Sequence, residues 1–199
     1  MKPYLETCDK NRDPILSVIQ PLFANVKEVL EIGSGTGQHA VYFAEKMPHL
    51  IWHSSDQAQS IDGIKMWIDE SKLSNLPSPL TLNVTQYRWP KIKVDAVFSA
   101  NTTHIMHWHE VEALFSGVTN VLNNKGLLIL YGPFNYQNQY TSESNARFDT
   151  WLKNRDPESG IRNFEDLDEL AQQAGLSLQE DYTMPANNRI LCWKINKVN

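Results

Sequence analysis

Glu31-Ile32-Gly33-Ser34-Gly35-Thr36-Gly37 follows a short apolar run, Val29 to Ile32, and leads into a helical stripe of Ala40, Phe43, Ala44 and Met47. A strand, a glycine turn and a helix in that order form the opening unit of a doubly wound α/β sheet. The glycines permit a sharp reversal and let a ligand approach the backbone. Several nucleotide ligands use such a turn, so its details decide. A dinucleotide fingerprint wants glycine or alanine at position 38, where this chain has Gln38. No Gly-Lys-Ser/Thr follows the turn, which removes a phosphate loop.

Outward from the turn the same rhythm continues. Leu50 to Ser55 reads as a second strand closing on Asp56, and Ile61, Ile64, Trp67 and Ile68 as a helix near 59–72. A third strand is expected around 80–84, a fourth over Val94 to Ser99 and a fifth over Leu127 to Tyr131. Between the last two, Val111, Leu114, Phe115, Val118, Val121 and Leu122 form the clearest amphipathic helix. Before the turn, Asp13-Pro14 reads as a helix start, cap then proline, with Pro21 ending or kinking that helix. After Pro133 the rhythm breaks, with one short helix expected near 145–153. Asn163 and Asp166 resemble a capped start for a helix reaching Ala174 and closed by Gly175. Leu176 to Tyr182 and Ile190 to Ile195 read as a final strand pair. The expected fold is a three-layer, doubly wound, Rossmann-like sheet of seven strands, mostly parallel, with the last strand antiparallel.

The acids around the turn point to the ligand. A carboxylate two residues before the first glycine, here Glu31, is the pattern of S-adenosylmethionine enzymes. A dinucleotide would place a pyrophosphate at the helix N-terminus, where anions are favoured. S-adenosylmethionine instead offers an ammonium, a sulfonium and two ribose hydroxyls. Glu31 would balance the cationic methionine portion, Gly33, Ser34 and Gly35 would pass against it, and Asp56 would accept the ribose hydroxyls. Asn83 at the end of the third strand would meet the adenine amine, with Val84 on the ring. A tight turn with a helix-capping aspartate, and an asparagine that merely closes a loop, are the bland alternatives.

Composition narrows the class. The 199 residues fit one domain with a full core. The net charge of −5, with no basic run, speaks against a nucleic-acid backbone as partner. Cys8 and Cys192 stand at opposite ends without metal or disulfide-framework spacing. The opening residues lack a secretory apolar stretch, and no window nears the roughly 18–20 apolar residues that span a bilayer. A cytoplasmic protein without a membrane partner is expected; its oligomeric state is unreadable.

Along its whole length the chain also resembles a methyltransferase-like family described as a domain of unknown function. The matching stretches are Cys8 to Leu16, Leu30 to His39, His104, Gly132-Pro133-Phe134, Ser144-Asn145 with Phe148-Asp149, Arg155-Asp156-Pro157, Gly160-Ile161-Arg162 and Met184 to Asn188. The resemblance implies the class I methyltransferase fold and S-adenosylmethionine as cofactor, without naming a substrate. Residues 1–25 would then cover the cofactor and residues 133–162 would form a substrate lid. One departure is that Ala100 to His104 is less apolar than is usual there.

The segment after the fourth strand, Ala100 and Asn101 included, faces the cofactor in this fold. It carries no Asn/Asp-Pro-Pro-aromatic motif, which lowers adenine and glutamine amines as acceptors. His104 is the candidate base or substrate ligand, against an equal reading as a structural histidine. His107 and His109 extend it to a trio without a convincing ligand set, so no metal is expected. Tyr136, Asn145, Phe148, Asp149, Arg155, Arg162, Asn187 and Asn188 are the candidate substrate-side residues, each as readily structural. Arg12 would pair with the cofactor's carboxylate. The expected activity is methyl transfer from S-adenosylmethionine to a small molecule. A non-catalytic S-adenosylmethionine-binding regulator and an NAD(P)-dependent oxidoreductase are the alternatives.

Overall fold

A computed structural model describes residues 2–196. Seven strands form one sheet: β1 (Glu28–Ile32), β2 (Ile51–Asp56), β3 (Leu80–Thr81), β4 (Val94–Ala100), β5 (Leu122–Gly132), β6 (Leu176–Thr183) and β7 (Arg189–Ile195). Their order is β3-β2-β1-β4-β5-β7-β6. The pairings among β1 to β5 are parallel, and β7 runs antiparallel to both β5 and β6. The last strand alone is reversed.

The central strands are buried on both faces, as parallel strands under helices must be. Alternation along each strand divides them between two cores. Val29, Trp52, Ala96, Phe98 and Ile129 face α1 (Glu6–Leu22), α2 (Gln38–Lys46) and α3 (Ile61–Ser71). Leu30, Val97, Leu128, Leu191 and Trp193 face α4 (Trp108–Val121) and α6 (Phe164–Gln173). The remaining helix, α5 (Glu143–Arg155), lies in the segment after β5. The chain winds outward from β1 through β2 to β3, then crosses back to β4. β1 and β4 are therefore the switch point, outside whose carboxyl ends a ligand crevice forms.

Four local expectations are corrected. α1 begins at Glu6, not beside Asp13, and carries Pro14 in its interior. A mid-helix proline costs about 3 kcal/mol. Burial of Ile15 and Ile19 offsets it, and the early turn is clasped from outside. Gln38 accepts from the Leu5 N–H at 2.7 Å and donates back to the Leu5 carbonyl at 3.3 Å. β3 is two residues long, because after Leu82 donates to the Asp56 carbonyl the chain turns at Asn83. β5 starts at Leu122, where an irregular stretch still pairs with Val94 before the regular ladder resumes at Leu127. Asn163 stands at the cap position just before α6, but its side-chain amide donates to Asp166 and Asn138 and makes no bond to the helix backbone. Pro21 stands in the last turn of α1, and Gly175 closes α6 with φ +75°. No helix among the described residues is long and apolar enough to cross a membrane.

Candidate functional site

A cleft of about 410 Å³ opens outside the carboxyl ends of β1, β2 and β4. Its floor is the glycine turn, stitched to β2 by the Gly33 and Ser34 N–H groups, which donate to the Ser55 carbonyl at 3.0 and 2.9 Å. Gly33 has φ +74°, and a Cβ there would stand 2.7 Å from Thr102 Oγ1. Only glycine lets the turn pass this close to the loop after β4. Gly35, φ +57°, has nothing within 4 Å of its missing Cβ, so its outer face is open to a ligand.

Asp56 closes the far side of the turn. Its Oδ2 accepts the Gly35 N–H and its Oδ1 the Gln57 N–H, each at 2.7 Å. Each carboxylate oxygen has a second lone-pair site, so the group keeps acceptor capacity toward the cleft. Val84, Leu82, Ile105 and Met106 give an apolar wall, and Ala100, Asn101 and Thr102 line the side below β4. Leu5, Thr7 and Cys8 complete the wall opposite. The segment before α1 is held there by Trp67 Nε1 donating to the Pro3 carbonyl at 2.7 Å and by Lys2 bonding Glu70 at 2.7 Å.

The charge of the cleft is one-sided. Asp56 and Glu110 contribute carboxylates, and no lysine or arginine lines it among the described residues. His39, also in the wall, is pushed down to about 4 by burial and stays neutral at neutral pH. It faces Asn11, whose Oδ1 lies 2.7 Å from Nε2.

Several sequence candidates meet here: Gly33, Ser34, Gly35, Asp56, Val84, Ala100 and Asn101 all line the cleft. Others are placed elsewhere. Glu31 is buried behind the turn, where its Oε2 accepts both the Ser34 hydroxyl at 2.8 Å and the Trp52 indole N–H at 3.1 Å. Burial lifts its carboxyl to about 7, so it braces the turn from beneath. Arg12 is drawn to Asp9 at 2.7 Å and lies over the Tyr42 ring, outside the cleft lining. Asn83 accepts from the Thr85 N–H and hydroxyl and closes its own turn.

The segment after β5 roofs the neighbouring carboxyl ends, and its polar side chains are largely spent on holding it. Asp149 accepts the Ile161 N–H, the Tyr140 hydroxyl and the Lys153 ammonium at 2.7, 2.6 and 2.7 Å. Burial would raise its carboxyl, but those three donors hold it below the usual carboxylate value. Asn145 donates to Thr141 and to the Asn187 carbonyl; Asn187 reaches Ser144, and Asn188 the Pro185 carbonyl. Tyr136 donates to Asp181 and stacks on Phe164, and Arg155 lies over Trp151. Arg162 donates to the carbonyls of Thr103, Met106 and Glu158, fastening the loop after β4. Phe148 meets the His104 ring edge to face, with centroids 5.2 Å apart. His104 itself is 5% exposed, and its Nδ1 has no partner. Burial, with Arg162 nearby, lowers it to about 4. His107 is held between Asp156 and Glu158 at 2.7 and 2.6 Å, which raises its pKa.

Leu5, Thr7, Cys8, Thr36, His39, Thr102, Met106 and Glu110 were not named as site residues from the sequence, yet all line the cleft. Thr36 lies inside the glycine turn and Thr102 beside Asn101, so proximity to the motif was their available signal. Two Tyr-x-x-x-Lys spacings of the kind an oxidoreductase uses, Tyr42 to Lys46 and Tyr87 to Lys91, both fall outside the lining.

Solved structures share this architecture. The S-adenosylmethionine-dependent methyltransferase SibL, in its apo form, superposes with a TM-score of 0.81 at 18% identity, over 96% of this chain and 56% of that one. Human N-acetylserotonin methyltransferase in complex with SAM gives 0.82 at 12% identity, over 96% and 53%. An O-methyltransferase family 2 protein from Planctomyces limnophilus, in complex with apigenin, gives 0.75 at 14% identity, over 86% and 51%. The chain thus spans a little over half the length of these proteins and shares with them the Rossmann-like methyltransferase fold. A family model matches residues 2–195, and the chain belongs to that family, described as protein of unknown function (DUF938).

Proposed function

We infer that the protein binds S-adenosylmethionine in the cleft above β1 and β4 and transfers its methyl group to a small molecule. The observation that carries this is the one-sided charge: Asp56 and Glu110 face the cleft with no lysine or arginine among the described lining residues. Such a wall suits a cationic ligand and repels a pyrophosphate. When bound, S-adenosylmethionine supplies a methyl group on a sulfonium, which an acceptor's lone pair takes as the carbon–sulfur bond breaks and its electron pair returns to sulfur.

The chain's own residues do the holding. Asp56 is fixed by the Gly35 and Gln57 N–H groups with lone pairs left for the ribose hydroxyls. Val84, Leu82 and Met106 offer apolar surface to the adenine. The open face of Gly35 allows backbone contact, and the Leu5-to-Cys8 wall excludes water from above. Alignment alone supplies much of the rate of such a transfer, since well-oriented partners correspond to effective molarities on the order of 10⁵ M or more. The location is proposed to be cytoplasmic and the acceptor a metabolite-sized molecule, in keeping with the net charge of −5. Calorimetry with S-adenosylmethionine and S-adenosylhomocysteine tests the binding, and transfer of labelled methyl groups into a metabolite extract separates an enzyme from a non-catalytic binder. Binding of neither compound would overturn the reading.

A further inference from the structure

The apolar wall of the cleft and one of its two carboxylates come from neighbouring pieces of chain. Leu82 and Val84 after β3 and Met106 after β4 line the cleft, and all three pack with α4 in one core. Glu110 stands in the first turn of α4 and lines the cleft as well. Its Oε2 accepts the His107 N–H at 2.8 Å, which fixes the carboxylate one residue beyond Met106. Its Oε1 makes no hydrogen bond among the described residues and keeps its acceptor capacity. The rival acceptor from the loop after β3 is spent. Asn83 Oδ1 takes the Thr85 N–H at 3.0 Å and the Thr85 hydroxyl at 2.8 Å, and Asn83 does not line the cleft. Asp56, the other carboxylate, is held at the far side of the turn by the Gly35 and Gln57 N–H groups.

We propose that Glu110 reads the base of the cofactor: its Oε1 accepts the exocyclic amine of an adenine lying against Leu82, Val84 and Met106, and so selects adenine over a 6-oxo purine. The inference rests on the S-adenosylmethionine reading and adds the residue that decides which nucleoside fits. A purine is the largest apolar plane of that cofactor. Its face belongs on the apolar wall, which leaves its polar edge to the groups beside that wall. The amine is a donor, and among the described residues Glu110 offers the carboxylate there. A 6-oxo purine would turn a carbonyl toward the same oxygen, and two acceptors would meet unpaired. The capping bond sharpens what glutamine would do in its place. An amide must keep its oxygen toward the His107 N–H, so its N–H₂ takes the position of Oε1. A donor then faces the cleft, where it opposes the amine and matches the carbonyl.

Calorimetry on the parent and on Glu110→Gln compares S-adenosylhomocysteine with S-inosylhomocysteine, which carries a carbonyl where adenine has its amine. The parent is expected to favour the adenosyl compound on the order of 100-fold, the worth of a hydrogen bond to a charged group. The variant lowers that ratio by at least about tenfold, since its amide favours the carbonyl. A role confined to capping α4 would change both affinities together and leave the ratio where it was. A parent ratio under about tenfold, or a variant ratio within about tenfold of the parent's, overturns the proposal. The variant keeps the oxygen that caps α4; if urea unfolding shows that it does not fold, the parent's ratio decides. A parent that binds neither compound strikes the cofactor reading itself, whereas binding with an unmoved ratio strikes the role of Glu110 alone.

Discussion

Replacing Glu31 by glutamine separates a counter-charge from a brace. Glu31 is 1% exposed, and burial lifts its carboxyl from 4.5 to about 7, against the partial resistance of the Ser34 and Trp52 donors. In the unfolded chain the group returns to its ordinary value. Between the two values the folded protein keeps a proton that the unfolded chain has released, so stability falls as the pH rises through this window and levels off above about 7. With one pKa unit worth about 1.4 kcal/mol, the completed loss is about 3 kcal/mol, of which about 1 is already present at pH 5 and nearly all at pH 8.

Glutamine removes the titration while keeping the contacts, because both donors use the same oxygen, Oε2. One amide oxygen can therefore receive the Ser34 hydroxyl and the Trp52 indole together. Urea unfolding of parent and Glu31→Gln at pH 5, 6, 7 and 8, at constant ionic strength, reads the effect as a difference from which every shared group cancels. The variant is expected to gain on the parent by about 2 kcal/mol between pH 5 and pH 8. A difference that stays flat across the series would mean that Glu31 is ionised throughout, and would return it to the role of a permanent counter-charge.

Four further outcomes follow from the same geometry. Asp56→Asn sets an amide N–H₂ against one of the two backbone donors and weakens the proposed ribose contact; at about 1.5–3 kcal/mol for each charged hydrogen bond lost, S-adenosylhomocysteine affinity by calorimetry is expected to fall on the order of 100-fold. Gly33→Ala drives a methyl to 2.7 Å from Thr102 Oγ1 and lowers both stability and affinity, whereas Gly35→Ala, with open space around it, costs only the left-handed backbone penalty of about 1–2 kcal/mol. Asp149→Ala leaves the Ile161 N–H and the Lys153 ammonium without their partner and destabilises by about 2–3 kcal/mol in urea unfolding, a gap that narrows as acid protonates the parent's carboxylate. Arg12→Ala keeps S-adenosylhomocysteine affinity within about twofold, because the guanidinium is engaged by Asp9 and Tyr42 outside the lining; a larger loss would restore its pairing with the cofactor.

The sheet was legible because its signals are local and periodic. The runs Val29 to Ile32 and Val94 to Ser99, each followed by a helical stripe, specify parallel strands whatever the rest of the chain does. α1 was misread because Asp13-Pro14 looks like a start when only neighbours in sequence are weighed. The clasp that allows the helix to begin at Glu6 comes from Gln38, 33 residues away from Leu5. Asn163 failed for a related reason. Its place just before α6 follows from sequence, but its side-chain amide is taken by Asp166 and Asn138, the latter from a distant turn. Of the site, the parts set by backbone shape were readable: Gly33, Gly35 and Asp56 occupy fixed places in a strand–turn–helix unit and reach the cleft. Side chains beyond that unit were not, since polarity alone does not say whether a group faces a ligand or another loop.

That distinction also orders the residues after β5. Asp149, Asn145 and Arg162 carry the polar chemistry a pocket would need, yet their donors and acceptors are consumed in tying α5 to the loops on either side. The informative groups are those left unpaired at high burial, because a fold does not retain an unmet polar atom without a cost. His104 is such a group, and it lies at the junction of the loop after β4 with the roof that Arg162 fastens. The roof leaves His104 5% exposed, so its Nδ1 is shut inside the packing and is not part of the cleft lining.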